Sequence, residues 1–461
     1  MKVLLVHPYF LSLDAHEQNV MKPYPPLGIL YLSAFLKTKG FDVRVFDGTF
    51  SEPDAFFREV DHFQPDAIGF YVNMMTRHNA LKLRAGLKSK ALCFVGGPDT
   101  THYVGAYLAH GFDAVILGEG ELPTWQWLSQ ISNPDQWIQI PGLAFKQESM
   151  VMANPAAKPS TPIEEFPMPD RQSIHLNQYL DCWGKHHGYR PINLITARGC
   201  PFQCTWCSHS VFGYSLRKRS VNHVLAEMEW LNRHYNFNAY WFADDVFTIQ
   251  KNWTLEFAQA VAQNGHLKKP FETITRADKV DEAVVEALQR SGCSKIWIGA
   301  ESGSQTILDA MKRGVKRDQV KWVVQNLRRV GIQTGMFFMW GYTGEGLTEI
   351  LDTIQLAEEC QPDTALTTIS YPIKGTPYYK TLQEQGLLGP EHDFENGTDR
   401  QNPINGRYAD SVYHEATHLL ALRLKLVKYQ NQAGLRKWLS PLPRMQAWRS
   451  LRRLNHLINS G

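Results

Sequence analysis

Arg198-Gly199-Cys200-Pro201-Phe202-Gln203-Cys204-Thr205-Trp206-Cys207 places three thiols on one short loop, spaced C-x3-C-x2-C, directly after a strand-like apolar run over residues 192–197. Three soft thiolates can hold an iron–sulfur cubane and leave one iron open. Clusters built only for electron transfer normally take four protein ligands, so a three-thiolate site keeps one metal position for a small molecule. A structural zinc site is the competing assignment, but zinc wants four closed ligands, usually as two separated C-x2-C pairs. Here there is one such pair, with His209 as the nearest fourth donor in sequence. Cys93, Cys182, Cys293 and Cys360 are scattered singly, which speaks against a disulfide framework and for a reducing, intracellular compartment.

Outward from this loop, 461 residues correspond to roughly three domain units. Lys and Arg total 48 against 45 Asp and Glu, a formal net charge of +3, which by itself argues neither for nor against a nucleic acid or a membrane. No stretch approaches the roughly 18 consecutive apolar residues of a spanning helix. The opening Met1-Lys2-Val3-Leu4-Leu5-Val6-His7-Pro8 is too quickly broken for a secretion signal, so a cytoplasmic location is expected.

Upstream, short apolar runs at residues 3–6, 43–46, 67–72, 93–95 and 114–117 alternate with helical stretches such as 27–39. That rhythm predicts a parallel sheet with crossover helices, and such sheets bind ligands at the carboxyl ends of their strands. Gly96-Gly97-Pro98 and Gly118-Glu119-Gly120-Glu121 stand at two of those ends. Residues 146–190 carry Pro155, Pro159, Pro162, Pro167 and Pro169 with no sustained period and read as a linker, His186-His187 being a solvated pair at its end. From residue 191 the alternation resumes. Six strand candidates (193–197, 239–242, 272–275, 295–298, 333–340 and 365–371) are separated by helices, among them 221–234 with Val224, Leu225, Met228 and Leu231 on one face.

The cysteine loop resembles that of the radical S-adenosylmethionine (SAM) superfamily. Pro25-Pro26-Leu27-Gly28, Gly40-Phe41-Asp42-Val43, Gly96-Gly97-Pro98, Gly118-Glu119-Gly120-Glu121 and Pro141-Gly142-Leu143-Ala144 follow in the order of the cobalamin-binding domain that precedes many radical SAM cores. Over roughly residues 1–385 the chain therefore resembles the B12-binding-domain-containing radical SAM proteins. The resemblance implies an α/β fold: a Rossmann-like cobalamin-binding domain (1–145), a proline-rich linker (146–190), a partial (β/α)6 radical SAM barrel (191–385) and a helical, basic C-terminal region (386–461). It implies three cofactors: a [4Fe-4S] cluster on Cys200, Cys204 and Cys207, SAM chelated at the open iron and cleaved to a 5′-deoxyadenosyl radical, and cobalamin.

It also implies contacts. Gly96, Gly97, Gly118 and Glu119 would meet cobalamin. Trp206 takes the aromatic position near the adenine, with simple packing of the loop as its alternative. Asp245, of the pair Asp244-Asp245, would meet the SAM amino group unless the pair is solvated. Arg276, in Thr275-Arg276-Ala277-Asp278, could pair with the SAM carboxylate as a fork of donors. Glu301 and Ser302, in Gly299-Ala300-Glu301-Ser302-Gly303-Ser304, would face the ribose and methionyl groups. Gly341-Tyr342-Thr343-Gly344-Glu345 resembles G-x-P-G-E with Thr343 in place of proline, and Tyr371-Pro372-Ile373-Lys374-Gly375-Thr376-Pro377 resembles the segment that ends the barrel. No catalytic acid or base is assigned.

Two features depart from or exceed the resemblance. Relatives that supply a lower histidine to cobalt carry D-x-H-x-x-G after the first strand; here that strand runs into His7-Pro8-Tyr9, and Asp14-Ala15-His16 lacks the glycine and lies farther along, so His16 reads as a loop residue. After Glu415 there is no acidic residue, while nine Lys and Arg interleave with leucines, Trp438 and Trp448. Such a tail can lie on an anionic membrane surface, or pack its leucines inward and wet its cations. The function implied is action on an unactivated carbon of a small-molecule, peptide or lipid biosynthetic substrate, most often C-methylation, with an external flavodoxin- or ferredoxin-like reductant and no nucleic-acid partner. Ring formation or oxidative rearrangement with the same cofactors is the alternative within that class, and a non-catalytic cobalamin- and cluster-binding protein is the alternative outside it.

Overall fold

The computed structural model describes residues 1–156, 159, 161–430 and 441–460. Two compact units emerge: Met1–Pro201, Ser208–Tyr240 and His392–Asp399 form the first, and Phe202–Cys207, Trp241–Glu391 and the described part of Arg400–Gly461 the second.

In the first unit, Val3-Leu4-Leu5-Val6 is an unbroken apolar run, the pattern of a strand covered on both faces, and all four side chains are buried in β1 (Lys2–His7). With β2 (Asp42–Asp47), β3 (Ala67–Tyr71), β4 (Leu92–Gly96), β5 (Ala114–Ile116), β6 (Leu143–Gln147) and β7 (Met150–Ala153) it makes a sheet of order β2-β1-β3-β4-β5-β6-β7. The pairs among β1 to β5 are parallel, whereas β6 and β7 join antiparallel, so a hairpin extends the parallel sheet that the sequence pattern suggests. The chain leaves β1 for β2 on one side and returns to β3 on the other. That reversal, between β1 and β3, is where open α/β sheets form a crevice beyond the carboxyl ends of their strands. Helix Leu27–Thr38 packs against β1 and β2 and buries Leu27, Leu30, Tyr31 and Phe35.

The stretch read as a linker is more ordered than its prolines suggest. It supplies β7 and a helix, Leu176–His187, which buries Leu176, Tyr179, Leu180 and Trp183. The prolines lie before that helix, not within it. His186 is exposed, but His187 is tied through Nε2 to the Val20 and Met21 carbonyls at 3.0 Å each.

Helix Val221–His234 forms where its period predicts, capped by the Ser220 hydroxyl, which accepts from the His223 N–H. Its buried face differs from the expectation in one place. Leu225 is half-buried and Glu227 is 1% exposed. The Glu227 carboxylate accepts from Arg171 Nη2 at 3.0 Å and Arg219 Nη1 at 2.5 Å. Burial alone would raise the Glu227 pKa; the two guanidiniums reverse this and hold it below the ordinary carboxylate value. A buried charge survives only when paired, which hydrophobic period alone does not register.

A second sheet has the order β15-β14-β13-β12-β11-β8, with β8 (Pro191–Leu194), β11 (Ala239–Phe242), β12 (Phe271–Thr275), β13 (Cys293–Glu301), β14 (Gln333–Trp340) and β15 (Thr364–Ile369). All six correspond to the candidates read from sequence. Pairing from β12 to β15 is parallel. A short antiparallel pair, β9 (Ala197–Arg198) and β10 (Arg217–Lys218), brackets the approach to the cysteine loop. Helices Lys251–Gln263, Glu282–Ser291, Arg317–Arg329 and Leu347–Cys360 alternate with the strands of the second unit; the Asp281 carboxylate caps the second of them at Val284 N, 3.0 Å away.

In the C-terminal region, helix Asp410–Gln430 packs against Pro441–Ser460. Leu422, Leu426 and Leu454 are buried, and Arg423 pairs with Glu358, while Trp448 is exposed under the Arg452 guanidinium at 3.8 Å. Arg436, Lys437 and Trp438, and the side chain of Leu442, lie outside the described residues. Among the described residues, no helix is long and apolar enough to cross a membrane.

Candidate functional site

At the carboxyl ends of β3, β4 and β5 the first unit holds a cavity of about 300 Å3. Its floor is Leu5 and Gly69, one side is the helix face of Leu27, Gly28 and Tyr31, and its rim is Gly96-Gly97-Pro98 and Gly118-Glu119-Gly120-Glu121. The four residues expected to meet cobalamin, Gly96, Gly97, Gly118 and Glu119, thus line one cavity. Gly97 has φ +126°, and a Cβ there would lie 2.2 Å from the Val72 carbonyl oxygen, so the backbone itself forms the wall.

The rim is charged, and sequence reading missed most of it. Arg198 Nη1 donates to Glu119 Oε1 at 2.5 Å and Nη2 contacts Glu121 Oε1 at 2.8 Å, while Arg217 Nη2 reaches Glu119 Oε1 at 2.7 Å. Arg198 is 4% exposed, and its guanidinium carbon sits 4.8 Å above the Tyr31 ring and 4.9 Å above Phe166. Burial raises the Glu121 pKa; Arg198 opposes it and Glu119 adds to it, leaving the carboxyl above its ordinary value. Burial acts against the charge on Arg198, yet the two carboxylates win and its pKa rises. Glu119 therefore turns its carboxylate to two arginines as well as lining the cavity. The available signal was charge balance: Glu119 and Glu121 alternate along one strand exit, and an arginine directly precedes Gly199-Cys200.

The histidines near β1 have local explanations. His7 is 8% exposed, with Nδ1 at 3.2 Å from Asp47 Oδ1. His16 is exposed on the short helix Ala15–Val20, where Asp14 is the N-cap, accepting from Glu17 N at 3.0 Å.

In the second unit the loop from Phe202 to Cys207 is held by its neighbours. Thr205 N donates to the Met311 carbonyl at 3.0 Å, Tyr378 N to the Thr205 carbonyl at 2.9 Å, and the Thr205 and Tyr342 hydroxyls meet at 2.7 Å. Cys204 is 5% exposed, and its sulfur accepts from Arg276 Nη1 and Arg313 Nη1, each at 3.6 Å. Arg276 is itself fixed by Asp278 Oδ1 (2.9 Å), the Arg313 carbonyl (2.6 Å) and the Phe202 ring, 3.6 Å below its guanidinium. Arg313 donates to the Gly299 carbonyl at 2.9 Å and lies 3.8 Å from Glu301 Oε1.

Glu301 has φ +62°, a left-handed conformation at the bulge where β13 leaves register with β14. Such backbone strain in a residue with a side chain collects at functional sites. Burial raises the Glu301 pKa, and Arg313 and Arg276 moderate the rise. Ser302 is fully buried; its hydroxyl meets Thr353 Oγ1 at 3.1 Å and accepts from Ser304 N at 3.1 Å. Trp206 packs against the cluster that contains Met311, Tyr342 and Tyr378, and its indole N–H, buried, has no hydrogen-bond partner among the described residues. Of the acidic pair, Asp244 is 2% exposed and Asp245 is exposed. Glu345 completes the Gly341 turn by accepting from Gly341 N at 2.5 Å; burial pushes its pKa up to about 8, with Oε1 buried and unpartnered among the described residues.

Among the described residues no three His, Cys, Asp or Glu side chains form a ready metal cage. His209, the candidate fourth zinc donor, has its ring 4.3 Å from Tyr214 and Nδ1 at 3.2 Å from the Gly213 carbonyl. The fit to a metal rests on donor chemistry: two guanidiniums converging on one buried sulfur suit an anionic ligand to an anionic inorganic group. Arg313 belongs to no motif in the sequence and was found only by its place beside Cys204.

Residues 194–357 match the family model of the radical SAM superfamily, and residues 18–124 match that of the B12 binding domain. Over 399 residues the chain is 28% identical to an uncharacterized methyltransferase of Pyrococcus horikoshii, covering 84% of each. It is 25% identical over 405 residues to the anaerobic magnesium-protoporphyrin IX monomethyl ester cyclase of Cereibacter sphaeroides, covering 84% of this chain and 64% of that one. The solved radical S-adenosylmethionine methyltransferase TsrM of Kitasatospora setae, with cobalamin and a [4Fe-4S] cluster bound, matches with a TM-score of 0.71 at 17% identity, over 88% of this chain and 79% of that one, a likeness of fold.

Proposed function

We propose that this chain, which belongs to the radical SAM proteins carrying a B12 binding domain, is an enzyme that methylates an unactivated carbon of a small-molecule, peptide or lipid biosynthetic intermediate. Its cofactors are SAM with a [4Fe-4S] cluster, and cobalamin. Bound together, these supply reductive cleavage of a sulfonium and a cobalt that can carry a methyl group. The electron is expected from an external flavodoxin- or ferredoxin-like reductant in the cytoplasm.

The protein's share is binding, orientation and electrostatics. Cys200, Cys204 and Cys207 would hold the cluster, and Arg276 and Arg313 would hold the sulfur of Cys204 in a field of positive charge. Glu301 at the strained end of β13, Ser302 after it, Trp206 with its open indole N–H, and Arg276 toward the carboxylate are the proposed SAM contacts. Asp245, being exposed, is proposed only for a polar contact at the SAM amino end. Gly96, Gly97 and Gly118 leave the room into which the nucleotide tail of cobalamin would enter.

The observation that carries this reading is Cys204: a buried sulfur approached by two guanidinium nitrogens at 3.6 Å, on a loop of C-x3-C-x2-C spacing. The test is product mass from SAM with a deuterated methyl group, given a reductant and candidate substrates from neighbouring biosynthetic genes. Gain of three deuterons supports methyl transfer. A second reading, ring formation or oxidative rearrangement, is favoured by the similarity to the cyclase of C. sphaeroides; a product that loses hydrogen and gains no deuterium would select it. SAM binding without 5′-deoxyadenosine under any reductant would instead indicate a non-catalytic protein.

A further inference from the structure

The motif Gly118-Glu119-Gly120-Glu121 and the run Arg198-Gly199-Cys200 look independent in sequence, about eighty residues apart. In the first unit they are one object. The guanidinium of Arg198 is the shared group: one nitrogen on Glu119 at 2.5 Å, the other on Glu121 at 2.8 Å, and its face on Tyr31 at 4.8 Å. Tyr31, Glu119, Glu121 and Arg198 all line the cavity. Two residues beyond Arg198 comes Cys200, after a turn at Gly199 with φ +85°, where a Cβ would lie 2.3 Å from the Ser215 carbonyl oxygen. The backbone between guanidinium and thiol therefore has little freedom, because the turn is crowded and Arg198 is anchored at both forks.

We infer that Arg198 is a positioning residue that makes the seating of the Cys200 thiol depend on what fills the cavity. This rests on the reading of the cavity as the cobalamin site and of Cys200 as a cluster ligand. A tail that enters the cavity packs on Tyr31 and on the strand ends that carry Glu119 and Glu121. Those residues fix the guanidinium, and the guanidinium fixes the approach to Cys200. A planar fork is required for this, since only a guanidinium presents parallel donors to two carboxylates while lying flat on an aromatic ring. Lysine keeps the charge but has no planar fork to lie on the ring while donating to both carboxylates. By linkage the effect is reciprocal: cobalamin stabilises the cluster by the factor by which the cluster stabilises cobalamin.

The experiment uses the full-length, anaerobically reconstituted protein and follows loss of iron to a chelator, with and without saturating hydroxocobalamin. For the wild type, hydroxocobalamin is expected to slow iron release by about tenfold, within the range of ordinary allosteric coupling. For Arg198→Lys the ratio should fall below about twofold, with iron content and cobalamin absorbance after reconstitution each still measurable. Glu121→Gln, which keeps size and removes the charge of one anchor, should give an intermediate ratio and guards against an Arg198 variant that fails to fold. An unchanged ratio in both variants, or no effect of hydroxocobalamin on the wild type that binds it, overturns the inference alone. Wild-type protein that takes up no cobalamin, or no iron, overturns the underlying site reading and the inference with it.

Discussion

The cavity of the first unit and the surroundings of Cys204 in the second are built from opposite materials. Around the cavity, atoms are taken away: Gly28, Gly69, Gly96, Gly97 and Gly118 line it, with Phe94, Ile116 and Tyr31 between them and charge confined to a neutralised rim. Around Cys204, charge is added: Arg276 and Arg313 are buried, point at the sulfur, and are braced by Asp278, Glu301 and carbonyl oxygens. A ligand tail slotted between helix and sheet would need room and close backbone approach, whereas a compact anionic group would need fixed positive dipoles and charges that cost no reorganisation. Each region should therefore be breakable by a change that leaves the other standing.

Cys204→Ala is the most damaging change expected. It should abolish the cluster absorbance and nearly all bound iron after anaerobic reconstitution, while hydroxocobalamin is still taken up; full iron content would refute the ligand assignment. Gly97→Val comes next. With φ at +126° and a Cβ forced to 2.2 Å from the Val72 carbonyl oxygen, the variant should lose about 3 kcal/mol in urea unfolding and fail to retain cobalamin. Its iron should remain, released at the faster, cobalamin-free rate. Normal cobalamin retention by this variant would break the contrast between the two regions.

The smallest effect concerns Glu345, whose pKa is raised from 4.5 to about 8 chiefly by burial. In that window the folded state keeps a proton that the unfolded state has released. Stability from this group is thus full below about pH 4.5 and is lost as the pH rises through about 8. Glu345→Gln should flatten this dependence, narrowing the Tm difference between the two ends of the window by about 3–5 °C. An identical slope in wild type and variant would place the proton elsewhere.

Much of this was legible beforehand because its signals are local. Thiol spacing, glycines at strand ends and alternating apolar runs located the cysteine loop, the cavity rim and all six strands of the second sheet. Helix 221–234 shows where locality fails: its period selected Leu225, yet the core holds Glu227, because Arg219 just before the helix and Arg171 from farther back in the chain neutralise it. Likewise the prolines of residues 155–169 read as a linker, although the same stretch leads into a packed helix whose buried face follows the last of them. Trp206 could be matched to a position but not to its packing against Met311, Tyr342 and Tyr378.

Sequence by itself located the thiol run and the glycine turns, since a C-x3-C-x2-C run and left-handed glycine turns are properties of neighbouring residues. Only the tertiary structure decided which distant charges attend them: Arg313 at Cys204, and Arg198 between Glu119 and Glu121. The physical reason is that a buried ion is tolerated only where a partner of opposite charge is brought within about 3–4 Å, and the identity of that partner is set by strand order, which no local pattern records.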